Sequence, residues 1–213
     1  MNQAALAYPF IKICGVTTLD DTHHLIDAGA TAVGLNFAES PRAVTPATGA
    51  RIAREVRGQI TRVAVFRDRS DEEILAVLEL VDVDAVQLHD ALSSELAGHL
   101  RDRGLLLIKA LDVTGPHFAS FDDGDVDAVL LDGPRAGSGE TYDWTALRTR
   151  SFDVPVIGAG GLHALNVRAF VEEVRPWGVD TASGVERSPG LKDAERVTNF
   201  VANARRAFAE LGE

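Results

Sequence analysis

The chain has 213 residues, of which 46% are hydrophobic and 25% are charged, so it can bury a substantial core and is not expected to be disordered. Its formal net charge of −11 argues against a nucleic-acid partner, because binding to a phosphate backbone needs a clustered basic surface. No apolar run approaches the roughly 18 residues of a membrane span. Residues Met1–Pro9 lack the basic and apolar regions of a secretory signal, so we expect a cytoplasmic protein with no membrane partner.

Cysteine and histidine are too sparse to predict a disulfide or a metal centre. Cys14 is the single cysteine, which excludes an intramolecular disulfide and fits a reducing compartment. The six histidines are scattered, and the adjacent pair His23–His24 would point in different directions on a helix. We therefore expect no bound metal.

Eight short runs rich in β-branched residues alternate with amphipathic segments, which is the pattern of repeated βα units. Several of these runs are almost wholly apolar, as parallel strands buried on both faces should be. The predicted strands are Phe10–Cys14, Thr31–Phe37, Arg62–Phe66, Asp84–Leu88, Leu105–Ala110, Asp127–Asp132, Val154–Ala159 and Gly178–Ser183.

The segments between the strands predict helices over Leu19–Ala28, Pro46–Arg57, Asp71–Leu80, Ser93–Arg103, Ala164–Val174 and Lys192–Leu211. The fifth crossover, Asp112–Gly124, is broken by Gly115–Pro116, so a short or irregular helix is expected there. No composition shift marks a linker, and residues 1–213 are predicted to form one domain. Eight regular units without an edge-strand signal favour a single (βα)8 TIM barrel over an open doubly wound sheet.

In such a barrel, ligands bind at the carboxyl ends of the strands, and the first strand ends in Cys14 followed by Gly15. Alternation places Lys12 and Cys14 on one face of the strand and Ile11 and Ile13 on the other. An inward lysine is costly unless it meets an anion. Cys14 would be a base or a nucleophile if a nearby cation lowered the pKa of its thiol; otherwise it is a small core residue.

The predicted sixth strand ends in Asp132 and Gly133. A carboxylate at a strand end is a catalytic candidate in a barrel, although aspartate is also common there as a turn residue. Asp132 and Cys14 would supply an acid–base pair on opposite sides of the barrel mouth.

The chain has three glycine-rich segments, and the last two follow strands seven and eight, where barrel enzymes commonly bind phosphate through backbone N–H groups. They contain Gly137, Ser138 and Gly139, then Gly160 and Gly161 after strand seven, then Ser183 and Gly184 after strand eight. Glycine permits a positive φ or a close backbone approach that a Cβ would obstruct.

Arg42 follows Pro41 in the loop after strand two, where it could direct its planar guanidinium at a ligand carboxylate. His89 ends the fourth strand segment in a similar position. A lone histidine is more often structural than catalytic, so we assign it no proton transfer.

Read together, these segments resemble the phosphoribosylanthranilate isomerase family of tryptophan biosynthesis. The matching motifs occur in family order from the first strand to the last helix: KICG (Lys12–Gly15), SPR (Ser40–Arg42), VAVF (Val63–Phe66), VQLH (Val86–His89), LLD (Leu130–Asp132), GSGxTYDW (Gly137–Trp144), GGL (Gly160–Leu162), VDxxSGVE (Val179–Glu186) and PGLKD (Pro189–Asp193).

The resemblance implies an aldose–ketose isomerase that uses no cofactor and acts on a phosphorylated small molecule by an Amadori rearrangement. By motif, Asp132 would be the general acid and Cys14 the general base. Arg42 would face the anthranilate carboxylate, and the loops at Gly137–Gly139, Gly160–Gly161 and Ser183–Gly184 would hold phosphate. The family allows a monomer or a homodimer.

The chain departs from the family pattern at a few positions. Asp90 stands where a glycine usually follows VQLH, and Ala182 replaces a serine before SGVE. Tyr142 replaces a phenylalanine, and Gly158 stands where a larger apolar residue is usual. The first two changes leave substrate affinity and substrate range open.

Three other functions fit parts of the same pattern. The first is a related isomerase of the histidine pathway, or a dual-substrate enzyme, although those use a pair of aspartates where this chain has Cys14. The second is a Schiff-base aldolase that uses Lys12 or Lys109. The third is a sugar-phosphate-binding protein without catalysis.

Overall fold

The computed structural model describes residues 6–116, 118–133, 143, 144, 147 and 150–212. Eight parallel strands close into a barrel in sequence order, and the eighth strand pairs with the first. The closed (βα)8 TIM barrel predicted from the sequence is confirmed, and an open sheet is excluded. The strands are β1 Phe10–Cys14, β2 Ala32–Asn36, β3 Thr61–Phe66, β4 Ala85–Leu88, β5 Leu106–Asp112, β6 Ala128–Asp132, β7 Val156–Gly158 and β8 Gly178–Thr181.

Helices follow most of the strands and cover the outside of the barrel. They are α1 Leu19–Ala28, α2 Pro46–Glu55, α3 Asp71–Leu78, α4 Ser94–Asp102, α5 Val167–Val174 and α6 Ala194–Leu211. In the fifth crossover, the described residues 113–116 and 118–127 form turns and contain no helix, as the Gly115–Pro116 break predicts. No helix in the described part of the chain has both the length and the apolar character to cross a membrane.

The end of the barrel differs from the prediction. β8 stops at Thr181, two residues before the predicted end; its last pair with β7 is Val179–Gly158 and its last pair with β1 is Thr181–Ile13. The chain turns instead through a 3₁₀ turn, Ser183–Val185, into a small antiparallel hairpin formed by β9 and β10. The hairpin, β9 Glu186–Ser188 and β10 Leu191–Lys192, was not expected, and α6 begins after it.

Two apolar cores result from the alternation of side chains along the strands. The larger lies between the barrel and its helices. The smaller fills the barrel interior and is built mainly from Phe10, Ala32, Val63, Val65, Ala85, Ile108, Ala110, Ala128, Leu130, Ile157 and Ala159. Towards the carboxyl ends of the strands, the inward-facing residues are polar instead of apolar. These polar residues form the floor of the cavity described next.

Candidate active site

A cavity opens at the carboxyl ends of the strands and collects most of the predicted site residues. It is lined by the predicted residues Cys14, Arg42, Asp132, Gly160, Gly161 and Ser183. Its other polar lining residues are Asn36, Glu39, Ser40, Arg67, Gln87, His89, Asp180 and Thr181. Gly184 is not among the lining residues and lies one position beyond Ser183. Gly137, Ser138 and Gly139 lie outside the described residues.

The inward face of β1 carries Lys12 and Cys14, as alternation predicts. Lys12 is completely buried, and its Nζ donates a hydrogen bond to Oδ1 of Asp180 at 2.9 Å. Asp180 is the anion that an inward lysine requires. Sequence reasoning missed it, although period-two alternation along Gly178–Thr181 places it on the inner face.

The thiol of Cys14 is influenced by burial and by nearby cations in opposite directions. Burial raises its pKa above the ordinary value, and the carboxylate of Asp180 adds to this, whereas the ammonium groups of Lys12 and Lys192 lower the pKa. Burial outweighs the cations, so the thiol does not have the lowered pKa considered from the sequence. Lys12 and Lys192 instead limit the increase.

Asp132 ends β6 and faces the cavity. Burial raises the pKa of its carboxyl group to about 6; the backbone N–H of Gly133 opposes the increase, and Asp180 adds to it. Oδ1 of Asp132 accepts that N–H at 2.8 Å, so the residue also forms the strand-end turn that its position allowed. A carboxyl group with this pKa is partly protonated near neutral pH and can donate a proton.

The guanidinium of Arg42 is already paired within the protein. Its Nε and Nη2 donate to Oε1 and Oε2 of Glu186, each at 2.9 Å, in a bidentate ion pair. Glu186 is buried and lies in the unexpected hairpin. Within the described chain, Nη1 is the Arg42 nitrogen left without a hydrogen-bond acceptor.

Lys192 connects the hairpin to the two sides of the cavity. Its buried Nζ donates to the carbonyl oxygen of Cys14 at 2.6 Å, to that of Ala182 at 3.2 Å and to Oε1 of Glu186 at 2.8 Å. One ammonium group therefore joins the end of β1, the loop after β8 and the partner of Arg42. Sequence reasoning missed this role, because PGLKD contributed only a motif match.

The loops after β7 and β8 contain positions at which glycine is required. Gly160 and Gly161 have φ values of +90° and +64°. At Gly184 the requirement is space, because a Cβ would lie 1.9 Å from the carbonyl oxygen of Leu162. Thr181 joins the two loops by donating a hydrogen bond from Oγ1 to the same carbonyl at 2.6 Å.

His89 and Arg67 form a second polar group in the cavity. Nη2 of Arg67 donates to Nδ1 of His89 at 2.8 Å. Burial lowers the pKa of His89 to about 3, and the charges of Arg67, Lys12 and Lys109 contribute. His89 is therefore a neutral acceptor for Arg67, which agrees with the absence of a proton-transfer role in the sequence analysis.

Comparisons with known proteins agree with this geometry. The sequence profile of the family described as N-(5'phosphoribosyl)anthranilate (PRA) isomerase matches residues 11–203. The chain belongs to this family. A curated N-(5'-phosphoribosyl)anthranilate isomerase from Solibacter usitatus is 40% identical over 206 residues, which are 93% of this chain and 98% of the relative.

Solved structures of the family superpose on the barrel. One is a phosphoribosyl anthranilate isomerase in complex with reduced 1-(o-carboxyphenylamino)-1-deoxyribulose 5-phosphate; it has a TM-score of 0.80 and 35% identity over 92% of this chain and 98% of its own. Another contains monomers generated from the dimeric enzyme of Thermotoga maritima, with a TM-score of 0.77 and 33% identity over 92% of this chain and 97% of its own.

Two of the departures from the family pattern, Asp90 and Gly158, have local structural explanations, Ala182 has none, and Tyr142 lies outside the described residues. Oδ2 of Asp90 accepts the backbone N–H of Asp68, and Asp90 is not among the residues that line the cavity. Ala182 does line the cavity, and its carbonyl accepts Lys192. At Gly158 a Cβ would lie 2.1 Å from Cζ of Phe170, so the phenyl ring occupies the space that a larger residue would take.

Neither lysine considered for a Schiff base is placed to form one. Lys12 is ion-paired with Asp180. Burial lowers the pKa of its amine, but Asp180 and Cys14 together raise it by more, so the amine stays protonated. Burial lowers the pKa of Lys109 to about 8. However, Nζ of Lys109 donates to the carbonyl oxygens of His89, Asp90 and Ala110, and Lys109 does not line the cavity with Cys14 and Asp132.

Proposed function

We propose that this chain converts N-(5-phosphoribosyl)anthranilate to 1-(2-carboxyphenylamino)-1-deoxyribulose 5-phosphate, a step of tryptophan biosynthesis, by an acid–base Amadori rearrangement. The observation that carries the proposal is the placement of Cys14 and Asp132. Cys14 at the end of β1 and Asp132 at the end of β6 line the same cavity, and burial keeps the Asp132 carboxyl partly protonated near pH 6. Membership of the isomerase family supports the same reaction.

Ring opening comes first, and Asp132 is its acid. The carboxyl group donates its proton to the ribose ring oxygen as the bond from C1′ to that oxygen breaks. The nitrogen lone pair forms the C1′–N double bond, so the substrate supplies its own iminium ion and needs neither a lysine nor a cofactor. General acid catalysis of this kind typically accelerates a reaction about 10²–10⁴-fold.

Cys14 performs the second step. Its thiolate removes the C2′ proton, the C–H electrons form a C1′–C2′ double bond, and the iminium nitrogen becomes neutral in an enolamine. Transfer of a proton to C1′ with loss of the O2′ proton then gives the ketone. Lys12 and Lys192 stabilise the thiolate, since both ammonium groups lower the pKa of Cys14.

The two ends of the substrate are held by different parts of the rim. Gly160, Gly161, Ser183 and Gly184 bind the phosphate through backbone N–H groups, and Gly137–Gly139 would add to this site. Arg42 contacts the anthranilate carboxylate through Nη1, while Glu186 holds the rest of its guanidinium. The chain acts as a monomer or a homodimer; the dimeric relative supports the second state.

The experiment is turnover of two purified aminoaldoses by the wild-type chain. Loss of the fluorescence of phosphoribosylanthranilate reports the proposed reaction, and the imidazole-bearing substrate of the histidine pathway is the competitor. We expect activity on the anthranilate compound. Activity on the imidazole compound alone would contradict the proposal, and tight binding of both without turnover would indicate a binding protein.

A further inference from the structure

We propose that Arg67 is a specificity-determining residue that binds the carboxylate of the aromatic ring together with Arg42. This inference rests on the proposed function and adds a residue to its substrate-binding site. Arg67 follows β3 directly, lines the cavity and is only partly exposed. The resemblance assigned it no role, because the matching motif ends one residue earlier, at Phe66.

Among the cations described around the cavity, Arg67 differs from Lys12, Arg42 and Lys192 because it has no ion pair. Arg42 and Lys192 share the carboxylate of Glu186, and Lys12 is paired with Asp180. Within the described residues, Arg67 has no carboxylate at ion-pairing distance, and its hydrogen-bond partner is the neutral ring of His89. His89 orients the guanidinium without cancelling its charge.

A ligand carboxylate needs that uncompensated charge. Lys12, Arg42 and Lys192 already balance Asp180 and Glu186. Glu39 and Asp132 also line the cavity, so without Arg67 a further anion would meet these two carboxyl groups with no additional cation beside them. The whole chain carries a net charge of −11, which adds to the repulsion. A guanidinium with free N–H groups supplies both charge and directed hydrogen bonds to a planar carboxylate.

The position of Arg67 in the barrel matches the shape of the substrate. Phosphate is held after β7 and β8, whereas Arg67 follows β3, four strands from β7 in the closed order of eight. The carboxylate is at the opposite end of the substrate from the phosphate. Arg42 comes from the loop after the neighbouring strand β2 and also lines the cavity, with its guanidinium paired to Glu186 in the hairpin after β8.

The test compares two substrates in the wild-type chain, Arg67→Met and Arg67→Lys. The substrates are phosphoribosylanthranilate and the corresponding phosphoribosylaniline, which lacks the carboxylate. We expect Arg67→Met to reduce the preference for the carboxylated substrate in kcat/KM by about 10–100-fold, mainly through KM, as loss of a charged contact should. Arg67→Lys keeps the charge without the planar group and should recover part of the preference. Arg69→Met, two residues away and outside the cavity, is the matched control.

Calorimetric binding of the reduced product analogue, with and without its carboxyl group, gives a readout that does not depend on turnover. Arg67→Met should weaken binding of the carboxylated analogue alone. An equal loss for both compounds, or no loss for either, would overturn the inference. A wild-type chain that leaves phosphoribosylanthranilate unchanged would instead contradict the proposed function, so the two failures are distinguishable.

Discussion

The surroundings of Asp132 change the pKa of its carboxyl group, which affects both the chemistry of the site and the stability of the fold. Burial raises its pKa to about 6 from an ordinary value of 3.8. The folded chain therefore retains a proton between these two pH values that the unfolded chain has lost. Stability from this group is present below the unfolded pKa and decreases as the pH rises through about 6.

Asp132→Asn should remove this pH-dependent loss of stability. A difference of two pKa units corresponds to about 3 kcal/mol at most, so the variant should gain up to that amount relative to the wild-type chain between about pH 4 and pH 7. Urea unfolding across that range measures the gain, and Asp102→Asn, which changes an exposed aspartate, is the matched control. Parallel stability curves for Asp132→Asn and the wild-type chain would contradict the assigned pKa.

Single residues also show where sequence reasoning stops. Alternation was sufficient to place Lys12 and Cys14 inside the barrel. It did not reveal the ion pair between Glu186 and Arg42, because the two residues are 144 positions apart and meet only when the barrel closes. The balance of burial against charge at Cys14 likewise depends on packing that residue types alone do not specify.

At the scale of elements, the hairpin formed by β9 and β10 holds the rim of the site. Gly190 in its turn accepts a hydrogen bond from Oγ1 of Thr17 at 2.6 Å and donates its N–H to Oε1 of Glu186 at 3.2 Å. Lys192 then connects the hairpin to the carbonyl of Cys14. The hairpin therefore fixes the loop after β1 and the orientation of Arg42.

Lys192→Met should lower kcat/KM by about 10–100-fold, because small displacements of catalytic groups have effects of this size. The variant should also raise the pKa of Cys14, since a cation that lowers it is lost. Titration of the thiol with an alkylating reagent measures the second effect, which a purely structural role would not produce. Arg187→Met, an exposed basic residue on the same hairpin, is the control. An unchanged thiol titration in Lys192→Met would contradict this role.

The strands were predicted more accurately than the connections. All eight strands could be placed to within two residues at each end because buried parallel strands are continuous apolar runs. The hairpin could not, since its short strands pair only with each other and carry no clear alternation. Its contacts with distant residues include the ion pair of Glu186 with Arg42 and the hydrogen bond of Lys192 to the carbonyl of Cys14.

At the scale of the whole molecule, pairing of β8 with β1 makes the first and last parts of the chain depend on each other. α6 packs against both α1 and α5, which ties the last helix to both halves of the barrel. No half of the barrel closes its own sheet, which agrees with the single domain over residues 1–213 that the sequence predicts.

Unfolding should therefore be one cooperative transition. Far-UV circular dichroism follows the strands and helices, whereas tryptophan fluorescence follows Trp177, which stacks on Phe10 with ring centroids 5.9 Å apart, and Trp144, which packs against Phe170. We expect the same urea midpoint from both probes. Two separated transitions would contradict a single domain.

The catalytic account is tested most directly by the rate of loss of phosphoribosylanthranilate fluorescence with the wild-type chain, Cys14→Ala and Asp132→Asn, each shown by circular dichroism to be folded. We predict turnover by the wild-type chain and a decrease of roughly a hundredfold or more in each variant, because each lacks a general base or a general acid. Near-normal turnover in either variant would contradict the role assigned to that residue. A wild-type chain without turnover would contradict the account as a whole.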